Sequence, residues 1–400
     1  MKSKQYSNRV AAGKRLRLLY MITKAEHGGA QSHVLDLVKG FQEEFEVVLA
    51  VGEEGFLTKA CRAESVRVHV LPHLGRDFNP LYDTRALFEA LRLIETEQPD
   101  LVHTHTWKAG FVGRLAARAK RIPSIYTAHM WHFGPDVPLM WRLCGPWLER
   151  LASKWSEYTI TVSHRGTAIA KQYQIAEPSR VIPIHNGIPD LPGRCRAGEN
   201  DTPVVIMVAR CTAFKDHETL VRAFAQVEAP ARLKLVGDGP TRPDIERLIS
   251  QLGIGDRVQM LGDREDVAEQ LCSSDIFALA SHTEHLPISI LEAMRSGLPI
   301  IASNVGGVSE QVVHGETGWL VPAQSVPELR HALTDLIGNK ETRASFGQAS
   351  RLRYEKLFAQ PQMIDRTREV YAEVLGPQFT PVRPLRPGLD VADQFSSLKY

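Results

Sequence analysis

The chain has 400 residues, 43% hydrophobic and 24% charged, a globular composition whose length favours two domains at roughly 100–200 residues each. A formal net charge of +2 excludes a strong overall field and gives no sign of a nucleic-acid partner, so attraction to phosphates or membranes must come from local clustering. No uncharged apolar run reaches the roughly 18–20 residues that cross a bilayer; the five cysteines (Cys61, Cys144, Cys195, Cys211, Cys272) are odd in number and lack C-x-x-C spacing, which speaks against a disulfide framework or zinc knuckle and for a cytoplasmic setting.

From the N-terminus, Lys2, Lys4, Arg9, Lys14, Arg15, Arg17 and Lys24 all precede the first acid, Glu26. The apolar stretch 16–22 is interrupted by Arg17 and too short for a signal segment, so it reads as a first buried strand. Further short, β-branched runs follow at 46–51, 67–71, 100–104, 122–127, 158–162 and 180–184. A second series lies at 203–209, 232–236, 257–261, 275–279, 298–302 and 318–321, and helical stretches separate the runs. Fully apolar short strands alternating with helices predict parallel sheets covered on both faces. Residues 189–203 (PDLPGRCRAGENDTP) have linker composition and place a domain boundary there. Helical stretches close the chain to about 375, and the last residues, around PVRPLRPG, read as a disordered tail.

In open α/β sheets ligands bind beyond the carboxyl ends of the strands, which directs attention to the loops after these runs. After 275–279 comes SHTEHLPISILEAMRSG. Pro287 suits a first helical turn, so Glu284 falls in the loop and Glu292 within a helix apolar nearly all round. A buried lone carboxylate is costly unless something bonds to it, and two vicinal ribose hydroxyls would serve; an ordinary helix-surface Glu292, with Glu284 an N-terminal-turn acid favoured by the helix dipole, fits equally well. After 203–209, Arg210 and Lys215 could stabilise a departing diphosphate without a metal, or be a solvated basic loop. Asp216 is placed as the cap of the next helix. No D-x-D pair occurs, so no divalent cation is suggested for the leaving group.

After 16–22, His27-Gly28-Gly29-Ala30 would let backbone N–H groups approach a phosphate at a helix N-terminus, though a plain turn is the simpler reading. His103 and His105 project to the same side of a strand end, where a metal pair is conceivable, but no third ligand follows at motif spacing. Met140, Cys144, Trp147, Leu148, Leu151 and Trp155 form a helical stripe, with Pro146 expected to kink the segment. Core packing is its first reading. The second joins it to Lys108, Arg114, Arg118, Lys120, Arg121 and the basic N-terminus as a patch for an anionic membrane surface.

The frame E-x-x-P-x-x-x-L-E-A-M-x-x-G-x-P from Glu284, continued by IIASNVGGVSEQVVHGETGWLV, resembles the E-x7-E signature of family-4 retaining glycosyltransferases. The likeness runs over nearly the whole chain. It implies the GT-B fold, with two Rossmann-like domains facing across a cleft: an acceptor domain over 1–190 and a nucleotide-sugar-binding domain over 191–360. A helix at 361–376 would return to the first domain, leaving 377–400 as the tail.

The resemblance further implies that Glu284 lies beside the transferred sugar, Glu292 on the ribose and Arg210 and Lys215 on the diphosphate, that Gly29 offers a backbone contact and that His129 reaches the sugar. Arg264, Ile288 and Ser289 would complete the donor site, with no cofactor or metal. GRDFNP, HTHTWKAGFVGRLAARA and HLPISILEAM are similar to the exopolysaccharide and capsule branch, implying hexosyl transfer from a nucleoside diphosphate sugar to a lipid-linked or polysaccharide acceptor at the cytoplasmic face of the membrane. The family often has Gly where this chain has His285. A non-catalytic nucleotide-sugar-binding partner subunit and a nucleotide-sugar epimerase of the same fold are the alternatives.

Overall fold

The computed structural model describes residues 15–75, 79–133, 139–191 and 200–379. Lys2, Lys4, Arg9 and Lys14, part of GRDFNP, most of the expected linker and the expected tail from 380 lie outside the described residues.

Every apolar run forms a strand. One sheet contains β1 (Leu16–Ile22), β2 (Phe45–Val51), β3 (Arg67–Val70), β4 (Leu101–His105), β5 (Ser124–Ala128), β6 (Tyr158–Thr161) and β7 (Val181–Pro183). The other contains β8 (Val204–Val208), β9 (Arg232–Val236), β10 (Val258–Gly262), β11 (Ile276–Leu279), β12 (Ile300–Ser303) and β13 (Gly318–Val321). Their orders are β3-β2-β1-β4-β5-β6-β7 and β10-β9-β8-β11-β12-β13, with parallel pairing such as β1 on β2 and β4, and β11 on β8 and β12. These are two Rossmann-like sheets, each interleaved with helices. Their central strands are buried on both faces, which is why they read as unbroken apolar runs.

Among the described residues, those up to Thr127, Leu143–Thr159 and those from Pro361 make one compact unit, and those of Ala128–Arg142 and Ile160–Gln360 a second. In the first unit the helix Gln360–Leu375 is fixed by Tyr371, whose hydroxyl lies 3.1 Å from that of Tyr20 and 2.6 Å from Nδ1 of His103. Arg368 donates to Glu44 at 2.9 Å, both side chains being almost fully buried. Removing one partner of such a pair leaves an uncompensated buried charge, at about 3–5 kcal/mol.

Several sequence expectations about burial are corrected. Lys108 is buried in an ion pair with Asp83 at 2.6 Å, and Arg114 is wholly buried, bonded to Glu149 at 3.0 Å with its guanidinium 4.0 Å from the Tyr126 ring centroid; neither belongs to a surface patch. The helix Leu139–Ser153 runs on through Pro146. Its stripe divides: Trp155 packs edge-on against Phe111, while Met140, Cys144 and Trp147 face outward. Among the described residues Cys61, Cys144 and Cys211 are free thiols.

Candidate active site

The second unit brings two strand-end loops together because β8 and β11 are neighbours in its sheet. The loop after β8 tightens into a 3-10 turn, Ala213–Lys215, and then Asp216 takes the left-handed conformation (φ 47°, ψ 51°). Asp216 is the cap foreseen from its sequence position, and accepts the Thr219 N–H at 3.2 Å at the start of the helix His217–Ala225. This satisfies one of the donors a helix N-terminus leaves open.

The loop after β11 carries Ser281, His282 and Glu284. Lys215 forms an ion pair with Glu284, and Ser281 donates its hydroxyl to the same carboxylate oxygen at 2.7 Å. Glu284 is thereby held by a cation and a hydroxyl, with only 9% of its side chain exposed. Behind it, Gly306 has φ 56°, and a Cβ there would stand 1.5 Å from the Glu284 carbonyl oxygen; at Gly307 a Cβ would stand 2.0 Å from that of His285. Only glycine permits both this backbone conformation and this approach.

Pro287 is the N-cap of the helix Ile288–Arg295, so Ile288 and Ser289 lie in its first turn, both half-buried. Glu292 is half-buried and has no side-chain hydrogen bond or ion pair among the described residues. Burial pushes its carboxyl above the usual glutamate value, with the Arg295 charge pulling the other way. Burial likewise lowers His285, to about 4, with the charge of His132 adding to the effect.

The remaining expected residues lie on other segments or further along the same loop. Arg210 is exposed after β8. Arg264 is exposed and engaged by both carboxylate oxygens of Asp266, at 2.7 and 2.8 Å. Gly29 opens the helix Gly29–Phe41 of the first unit, and His129 follows β5, half-buried. His103 is a buried structural group, one ring nitrogen on Tyr371 and the other 2.7 Å from the Thr127 hydroxyl.

Glu310, which sequence reasoning passed over, accepts the backbone N–H groups of His164 and Arg165, each at 2.8 Å, and meets Nε2 of His185 at 2.7 Å. His164, His185 and Glu310 bring three potential metal-ligand atoms within 4.8 Å of one another. With its oxygens taken by these donors, Glu310 satisfies the first two N–H groups of the helix His164–Gln172, whose N-cap is Ser163. Its place three residues after Gly307, in VGGVSEQ, was the available signal.

Two Rossmann-like parallel sheets, with the Lys215–Glu284 pair at the ends of β8 and β11, have the architecture of the GT-B class. Residues 27–190 match the model "Glycosyltransferase Family 4" and residues 196–353 the model "Glycosyl transferases group 1", and the chain belongs to the family-4 type of glycosyltransferases.

Among its relatives, an Escherichia coli UDP-Gal:alpha-D-GlcNAc-diphosphoundecaprenol alpha-1,3-galactosyltransferase is 28% identical over 74% of this chain and 81% of its own. The N-acetyl-alpha-D-glucosaminyl L-malate synthase of Bacillus anthracis is 27% identical over 74% and 80%. The fold matches that of Anabaena Alr3699/HepE, solved in complex with UDP and glucose, with a TM-score of 0.77 at 21% identity over 90% of this chain and all of that one.

Proposed function

We propose that this enzyme transfers a hexosyl group from a nucleoside diphosphate sugar, with retention at the anomeric carbon and without a metal, to a lipid-linked acceptor in surface glycan synthesis. The observation that carries the reading is the Lys215–Glu284 pair at the ends of β8 and β11, with the unpartnered Glu292 one short helix further on. In this mechanism the bond from the anomeric carbon to the β-phosphate oxygen breaks as the acceptor oxygen bonds to the same face of that carbon. The acceptor proton passes to the departing phosphate oxygen, so no side chain need act as nucleophile.

Arg210 and Lys215 meet the charge gathering on the diphosphate, the work a divalent cation would otherwise do; the absence of a D-x-D pair from the sequence supports this. Glu284 stabilises the positive charge developing on the sugar, and Glu292 accepts hydrogen bonds from the ribose. His129, Gly29, Arg264, Ile288 and Ser289 complete the donor contacts, within a domain division at about residue 190.

The E. coli relative, whose name specifies UDP-galactose and a diphosphoundecaprenol acceptor, supports a uridine donor and a lipid-linked acceptor. Among the described residues no helix is long and apolar enough to cross a membrane. The outward-facing Leu143 and Trp147, with Arg150 and Lys154 exposed beside them, support a peripheral contact with an anionic membrane on its cytoplasmic side. The deciding experiment presents purified protein with a panel of nucleotide sugars and follows nucleotide release, with and without undecaprenyl-diphosphate-linked sugars. Release stimulated by acceptor, with an α-linked product from an α-linked donor, is expected; interconversion of sugars or no turnover would overturn the reading.

A further inference from the structure

We propose that Asp216 and His282 form a strap that positions Lys215 against Glu284. Neither residue touches the reacting atoms; both are positioning residues, and the inference rests on the reading of Lys215 as a diphosphate contact.

The two loops leave different strands and are joined on both sides of Lys215. On one side the His282 backbone N–H donates to the Phe214 carbonyl oxygen at 2.8 Å. On the other, His282 Nε2 lies 2.9 Å from Asp216 Oδ2. Phe214 and Asp216 flank Lys215 in sequence, and Glu284 stands two residues beyond His282. The backbone under the cation is therefore tied to the backbone under its carboxylate by two bonds independent of the ion pair itself.

Asp216 is suited to this work because its carboxylate is over-determined. Besides His282 it receives the Thr219 N–H at 3.2 Å and the Thr219 hydroxyl at 2.7 Å, and 9% of its side chain is exposed. Those bonds hold a non-glycine residue at φ 47°, a conformation that costs roughly 1–2 kcal/mol.

The chemical reason for a strap is the lysine's flexible stem, which carries about 2 kcal/mol of rotamer entropy. A cation that stabilises transition-state charge has to be in place before the charge develops, and a displacement of about 1 Å can cost a hundredfold in rate. Anchoring the backbone on both sides of Lys215 confines the sweep of its ammonium to the neighbourhood of Glu284.

The test combines single and double variants, with UDP release from the UDP-sugar turned over fastest and calorimetric UDP binding as readouts. His282→Ala is expected to lower kcat about tenfold while changing UDP affinity by less than about threefold. His282→Gln, which keeps an N–H donor, should recover most of the loss. Asp216→Asn retains an N-cap of similar quality but weakens the bond to His282; it should lower kcat several-fold with little change in melting temperature, and it serves if His282→Ala folds poorly.

The decisive arm is His282→Ala combined with Lys215→Ala, which should be no slower than Lys215→Ala alone, because a strap with no lysine to place has no effect. If the two losses multiply, or if His282→Ala alone is as fast as the parent, the strap is overturned while the diphosphate reading stands. If Lys215→Ala by itself leaves kcat near normal, that reading fails and the strap falls with it.

Discussion

Lys215 and Glu284, 69 positions apart, meet as an ion pair where the loops after β8 and β11 adjoin. The cation assigned to the diphosphate is held by the carboxylate assigned to the sugar. This pairing neutralises two partly desolvated charges and keeps the lysine close to its place of action.

Replacing Lys215 or Arg210 by Ala is expected to reduce kcat by roughly two to three orders of magnitude, the scale for losing a preorganised stabiliser of transition-state charge. Steady-state UDP release by the folded variants checks this. A variant within a few-fold of the parent rate would remove that residue from the diphosphate site.

The two signature glutamates should separate in their effects. On the proposed roles, Glu284→Gln is expected to lower kcat strongly with UDP affinity nearly intact, its charge acting in the transition state; Glu292→Gln should chiefly weaken UDP binding. Calorimetric UDP affinity and kcat for each variant decide, and the reverse pattern would exchange the roles. Burial raises the Glu292 carboxyl, so its ionisation opposes folding. Stability attributable to this group falls as pH rises from the unfolded value through the raised folded one. Glu292→Gln should therefore melt higher than the parent at neutral pH, and the difference should vanish in acid.

If Arg210 and Lys215 take the place of a cation on the leaving group, as proposed, excess EDTA should leave turnover essentially unchanged. Loss of activity restored by manganese or magnesium would show the metal-free mechanism to be wrong.

Glu310 offers a stability prediction of opposite sign. Burial tends to raise its carboxyl, but the His185 bond and charge and the N–H groups of Arg165 and His164 outweigh that and hold it below the ordinary 4.5. Its contribution is present above the unfolded value and is lost as pH falls through the lower folded one. Glu310→Gln should cost about 2–3 kcal/mol at neutral pH, as for hydrogen bonds to a charged group, and denaturant melts of the two proteins should converge in acid, below the folded value. An equal gap at both pH values would refute the assignment.

The outward Leu143 and Trp147, 69% and 61% exposed, should carry the membrane contact. Vesicles containing anionic lipid are expected to bind the protein and release it at high salt, and Leu143→Ser with Trp147→Ser should reduce binding several-fold. Equal partition onto neutral vesicles would count against it.

The strands were legible in the sequence because parallel strands covered on both faces must be short, apolar and β-branched, and β1, β9 and β13 begin and end where those runs do. Glu284 and Glu292 were legible too, from the frame in which they stand. Which side chains meet was not. The Lys215–Glu284 pair depends on β8 lying beside β11, and strand order is settled by packing of the whole sheet, which local periodicity does not encode. Burial of individual charges was hidden for the same reason. Lys108 and Arg114 look like surface cations until Asp83 and Glu149 are brought to them from other helices, whereas Trp147 looks like core until its side of the helix proves to be uncovered. Sequence alone determined the elements and their likeness to a family; the tertiary structure decided partners and exposure, because these depend on groups far away along the chain.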